Sequence, residues 1–119
     1  MRKMRVDKII TDLRGEPFDF GQGARTTGDF AITVIEATMG QSSDGIIRLG
    51  QAGRAIIEAM DQGTEYAEME NADYTAFKKA FEGLLDKLRN QVPIALSFNE
   101  VFEESERIYQ KADGSNKEG

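Results

Sequence analysis

The chain has 119 residues, 39% of them hydrophobic and 30% charged, with a formal net charge of −6. That composition reads as a globular domain and excludes a membrane-crossing helix, because no apolar stretch approaches the roughly 20 residues that a bilayer span needs. The absence of cysteine and histidine excludes disulfides, thiolate nucleophiles, thiolate metal sites and every acid–base or metal role of imidazole.

These exclusions leave few groups able to activate a nucleophile, so the expectation is a non-enzyme with no cofactor and no metal. A net negative charge repels phosphate backbones, so nucleic acid is not the expected partner; another protein is. Met1 to Arg5 is basic, but no apolar core follows it before Asp7 and Lys8, and the cytoplasm is the expected compartment. The charge is uneven. Arg2, Lys3, Arg5, Lys8 and Arg14 crowd the first 14 residues, whereas residues 61 to 73 hold Asp61, Glu65, Glu68, Glu70 and Asp73 with no basic group.

Arg5 to Leu13 reads as a strand, since Val6, Ile9, Ile10 and Thr11 are β-branched. Leu13 to Pro17 supplies a turn, and Phe18-Asp19-Phe20 a short return strand, giving an N-terminal β-hairpin that must lie on other elements. Thr26 or Thr27 caps a helix through about Met39, with Phe30, Ala31, Val34, Ile35, Thr38 and Met39 facing inward and Gly40 ending it. Asp44 caps a second helix to Gln62 with Gly63 as its exit. Ile46, Gly50, Gly53, Ile57 and Met60 share one face of that helix, and two interior glycines imply a close helix crossing. Such a small-residue surface is either an internal crossing or a contact with a second copy of the chain, a homo-oligomer through Gly50 and Gly53.

Thr64 to Met69 is a candidate third strand. Asn71 caps the clearest helix, in which Tyr74, Phe77, Phe81, Leu84, Leu85 and Leu88 recur at helical spacing on one face. Ser97-Phe98-Asn99-Glu100 matches a capping box, with Leu96 and Val101 as its hydrophobic staple; an earlier start would place Pro93 in the first turn. Phe98, Val101, Phe102, Ser105, Ile108, Tyr109 and Ala112 continue that helical stripe. The expected architecture is α+β, a hairpin packed on about four helices, with one domain over residues 1–112 and a flexible polar tail over 113–119.

Gly23-Ala24-Arg25-Thr26-Thr27-Gly28 has the glycine spacing of a phosphate-binding loop. Asp29 and Phe30 stand where that loop requires Lys and Ser or Thr, so its chemical half is missing. Gly21 and Gly23 start a dinucleotide fingerprint whose third glycine is out of register. The acidic run 61–73 lacks the alternation of a calcium loop and reads as a solvated edge or as a surface for a basic partner. Glu100, Glu103, Glu104 and Glu106 form the wet face of the closing helix.

The order IITDLRGEPFDF, TTGDFAITVIEA, NADYTAFKKAFEGLLDKL and a Pro93-led helix resembles small accessory proteins of tailed bacteriophages. The shared identity is an Asp-Leu-x-Gly-x-Pro turn, here Asp12-Leu13-Arg14-Gly15-Glu16-Pro17. The resemblance implies a role in particle assembly or host interaction and carries over no functional residue. Protein–protein contact through Asp61, Glu65, Glu68, Glu70, Asp73, Glu103 and Glu104 is the leading expectation. One alternative is an acidic inhibitor that fills a nucleic-acid-binding groove of a host or defence protein, its carboxylates mimicking phosphates. Another is a small enzyme that works with carboxylates or a cation.

Overall fold

In the computed structural model, Met4 faces Ala67 and Arg2 faces Met69 across a two-stranded antiparallel sheet of β1 (Arg2–Arg5) and β2 (Tyr66–Met69). Four helices complete the order, α1 (Thr27–Ala37), α2 (Ser43–Gln62), α3 (Asn71–Leu85) and α4 (Gln91–Glu118), with β2 between α2 and α3. The structure describes residues 1–21, 23–38, 42–87 and 91–118, with Gln91 and residues 112–118 described by backbone alone. Met39, Gly40 and Leu88 of the expected helix stripes and ends lie outside the described residues. α4 continues helically past Ala112 to Glu118, over the stretch read as a tail.

The α+β class stands, but the sheet is made differently from the expected hairpin. The strand lies at Arg2–Arg5, and its partner is the segment proposed as a third strand. β-Branched residues mark extended chain, and Val6 and Ile10 are buried on one face while Ile9 is 40% exposed on the other, yet a ladder also needs one continuous partner, and the bonds of this stretch are divided among Glu65, Arg25 and Phe18. Residues 6–11 therefore run on as extended chain with borrowed partners. The Val6 N–H donates to the Glu65 carbonyl at 2.9 Å, and the Ile10 N–H to the Arg25 carbonyl at 3.0 Å. The expected turn at Asp12 to Pro17 forms, with a Thr11–Pro17 bridge and the Asp12 carboxylate accepting from the Arg14 and Glu16 N–H groups at 2.9 and 3.0 Å. The Phe18 N–H donates to the Ile10 carbonyl at 2.9 Å, so the return segment closes on the first by a single bridge and not a full ladder, and Phe18 and Phe20 stack edge to face at 4.8 Å against the core.

Arg2-Lys3-Met4-Arg5 is a polar tetrapeptide, and its burial alternates because Arg2 finds partners inside. Its guanidinium lies 4.4 Å from the Tyr74 ring centroid and 4.0 Å from that of Tyr109. Its Nε donates to Asn71 Oδ1 at 2.7 Å, and a terminal nitrogen meets Glu106 at 3.1 Å. A cation between two aromatic faces and a carboxylate can stay in a dry place.

α3 is the pillar that its periodicity predicts. Tyr74, Phe77 and Phe81 are buried, and Phe98 and Phe102 of α4 close on them, with Phe81 and Phe98 centroids 4.5 Å apart. Phe30 of α1 reaches Phe98 at 5.8 Å, so three helices share one aromatic centre. Burial of each ring contributes about 1.5–3 kcal/mol.

Several caps differ from expectation. Thr26 caps α1, accepting the Asp29 N–H at 3.1 Å, while Thr27 is buried and donates to the Arg5 carbonyl at 2.9 Å. Ser42, not Asp44, caps α2 by accepting the Gly45 N–H at 3.1 Å. Asn71 is occupied by Arg2, and α3 starts after Glu70 with no side-chain cap. α4 takes the earlier start, so the capping box does not form: Ser97 is buried within the helix and accepts the Thr11 N–H at 3.3 Å. Gly63 leaves α2 in the left-handed conformation, φ 70°, as expected.

Candidate interaction surfaces

α2 meets β2 along its C-terminal half and leaves a cleft of about 690 Å³ between them. Glu58 and Gln62 of α2 face Lys3, Glu65, Tyr66 and Glu68 of the sheet side across it. Three carboxylates against the Lys3 ammonium and the amino group of Met1 leave this concavity acidic. A second cleft of about 330 Å³ lies between β1 and α4, lined by Arg5, Lys8, Glu100, Glu103, Glu104 and Arg107.

Arg5 and Tyr66 separate the two clefts, and both bind Glu104. The Tyr66 hydroxyl donates to Glu104 Oε2 at 2.8 Å, and Arg5 approaches the same oxygen at 3.4 Å. Arg5 also reaches Asp7 at 2.9 Å and Glu65 at 3.3 Å, and Lys8 pairs with Glu100. The hydrogen bond to the Glu104 carboxylate, followed by burial, raises the Tyr66 phenol above its ordinary value, because ionisation would set two anions side by side. The carboxylate of Asp7 does most to raise the Arg5 guanidinium, which stays charged throughout.

The seven carboxylates expected to form an acidic edge over 61–73 and a Glu face on the closing helix are dispersed. Asp61 lies in the last turn of α2 and is exposed. Glu65 and Glu68 flank the cleft and pair with Arg5 at 3.3 Å and Lys3 at 3.6 Å. Glu70 and Asp73 converge instead on Arg48 of α2, at 3.5 and 3.3 Å. Asp73 is buried at 5% exposure and so is withdrawn from any docking surface. Glu103 accepts from Asn99 at 3.2 Å, and Glu104 holds Arg5 and Tyr66. Five of the seven thus have an intramolecular cation. The exposed pairs of Glu65 and Glu68 at the cleft are worth only about 0–1 kcal/mol each, so an incoming cation can exchange with them.

The glycine face of α2 is also rotated from its expected position. Leu49, Ala52, Gly53, Ile56 and Ala59 are buried, while Ile46, Ile57 and Met60 are 60%, 47% and 38% exposed. Gly53 meets Ile35 of α1 across the internal crossing, where an added Cβ would sit 3.6 Å from the Ile35 side chain. Gly50 faces open space. The spacing of Leu49, Ala52, Ile56 and Ala59 was a signal for the true face, hidden because two of the four are small and Ile46 and Ile57 are larger. The link among Arg5, Tyr66 and Glu104 had no local signal, since it spans three elements.

In the loop over residues 23–28 the Gly23 N–H donates to Asp19 Oδ1 at 3.3 Å and the Thr27 N–H to the Lys8 carbonyl at 2.7 Å, and the groups at the helix start are engaged as well. Gly28 donates to the Val6 carbonyl at 2.9 Å, Asp29 to Thr26 Oγ1, and Phe30 to the Thr26 carbonyl at 3.0 Å. Among the described residues no group of three or more acidic side chains converges as a metal site, and no helix is long and apolar enough to cross a membrane. Together these elements define a small helix-rich α+β protein whose concave surfaces are charged clefts. No protein-family model matches the chain, and no curated protein or solved structure is detectably similar to it.

Proposed function

We propose that this is a non-enzymatic accessory protein that acts by protein–protein contact in the host cytoplasm, its cleft between α2 and β2 receiving a basic segment of the partner. The observation that carries this reading is the acidic concavity formed by Glu58, Glu65 and Glu68 beside the aromatic face of Tyr66. A cationic side chain entering there exchanges with Lys3 for Glu68 and stacks on the tyrosine ring. Origin in a phage or prophage, and a role in particle assembly or host interaction, are supported by the resemblance in the Asp12 to Pro17 turn. Mimicry of a phosphate row is less well supported, because it needs free carboxylates and most of these already face a cation.

The test is affinity capture from bacterial lysate with wild-type protein and with the double variant Glu65→Lys, Glu68→Lys, followed by mass spectrometry. A partner retained by wild type and lost by the variant is the expected result. If every captured protein is retained equally by both, the cleft is not the docking surface.

A further inference from the structure

A line of exposed residues runs along α2 on the side away from the acidic cleft. Ile46, Gly50, Arg54, Ile57 and Asp61 follow one another at intervals of three or four residues, and all five are exposed. Ile47, 58% exposed, and Met60 flank them. In the last ten residues of the helix, Ile57 and Met60, 47% and 38% exposed, leave an apolar patch in water that a short helix crossing can cover.

The charges on this face say which helix. Arg54 and Asp61 have no ion pair or hydrogen bond among the described residues, although most other acids near α2 and β2 are paired. They stand seven residues apart on the same side, about 10 Å along the axis. A face with one cation and one anion two turns apart is its own complement when a second copy lies antiparallel. A twofold axis beside Ile57 then sets Arg54 of each copy against Asp61 of the other and packs the two Ile57 side chains together. A parallel alignment would oppose Arg54 to Arg54 and Asp61 to Asp61, and like charges disfavour it.

We infer that the protein forms a symmetric dimer through antiparallel packing of α2 on α2, with Ile57 at the centre and reciprocal Arg54–Asp61 pairs on either side. Gly53, buried against Ile35, takes no part, and Ile46, Ile47 and Gly50 lie beyond the end of the partner's helix in this register. A single short helix crossing is a small interface, so weak association is expected. The inference is independent of the partner cleft, and Glu65→Lys, Glu68→Lys leaves the dimer intact.

Sedimentation equilibrium and native mass spectrometry of the full chain, from about 1 µM to about 1 mM, read the association directly, a range that brackets a weak interface. Arg54→Asp and Asp61→Arg are each expected to weaken self-association at least ~10-fold by opposing like charges. The doubly exchanged variant, Arg54→Asp with Asp61→Arg, restores it. The two single variants, mixed, form a heterodimer, because each then supplies the charge the other lacks. All these positions are exposed, and far-UV circular dichroism confirms that each variant is folded. The inference is overturned if wild type is monomeric throughout, if a dimer forms that is indifferent to these changes, or if the face binds a different protein in place of a second copy.

Discussion

Gly28 shows how one backbone position can fix the approach of an element. A Cβ built there would lie 2.8 Å from Val6 Cβ, 2.9 Å from Met60 Sδ and 2.9 Å from the Val6 carbonyl oxygen. The methionine tip can turn aside, but the carbonyl belongs to the backbone and also accepts the Gly28 N–H. Gly28→Ala is therefore expected to destabilise by about 1–3 kcal/mol, the range for overpacking. Gly83 of α3 has open space around it, and Gly83→Ala should stabilise by up to about 1 kcal/mol through helix propensity alone. Urea titrations of the two variants check both signs. Residue-level legibility follows the reach of each contact. The Thr26 cap serves its own helix and was readable among two candidates, whereas the reason for Gly28 comes from Val6 and Met60, and the burial of Arg2 from Tyr74, Tyr109 and Glu106.

Helix α2 carries the element-scale lesson. Its cap is the Ser42 hydroxyl, and Asp44 sits in the first turn at the positive end of the helix dipole, with Arg48 4.0 Å away. Ser42→Ala is expected to cost about 1 kcal/mol by leaving an N–H without its acceptor, and Asp44→Ala about 0.5 kcal/mol by losing only a screened charge interaction. Chemical denaturation that ranked Asp44 above Ser42 would reverse this assignment. α3 was readable because its large residues fall on one side, giving periodicity no competing solution. α2 offered two apolar lines, Leu49-Ala52-Ile56-Ala59 and Ile46-Gly50-Ile57, and the bulkier one lies outside. In α4, Ser97 to Glu100 has the chemistry of a helix start, but the helix already exists there and Ser97 serves the Thr11 N–H instead. Leu96, read as the staple, is 50% exposed.

For the whole molecule, the α+β class was legible from alternating composition, but the pairing of β1 with β2 was not, since two helices intervene and neither strand advertises its partner. The clefts inherit that limit: the residues of the acidic run were visible, but their division between β2, Arg48 and α4 depends on the fold. Alkaline stability tests the junction of these parts. Tyr66 is raised above a phenol's ordinary value of about 10 by its hydrogen bond to Glu104, and Tyr74 is raised chiefly by burial. Above about pH 10 the unfolded chain releases these protons before the folded one does, so the stabilisation is complete below that pH and is lost as pH rises through the raised values. The urea midpoint should fall across this window, and Tyr66→Phe should make the fall shallower; an unchanged slope would separate Tyr66 from the effect.

β1 packs against α4 as well as β2, joining the two extremes of the element order. During synthesis β1 precedes α4 by three helices and a strand, so one of its two packing surfaces is missing until that helix has formed. Arg2 must stay hydrated all that while, and only when Tyr109 and Glu106 arrive can its charge go under cover. Consolidation of this strand thus waits on α4, and a nascent chain stalled before α4 would present an open, basic strand to whatever chaperone meets it.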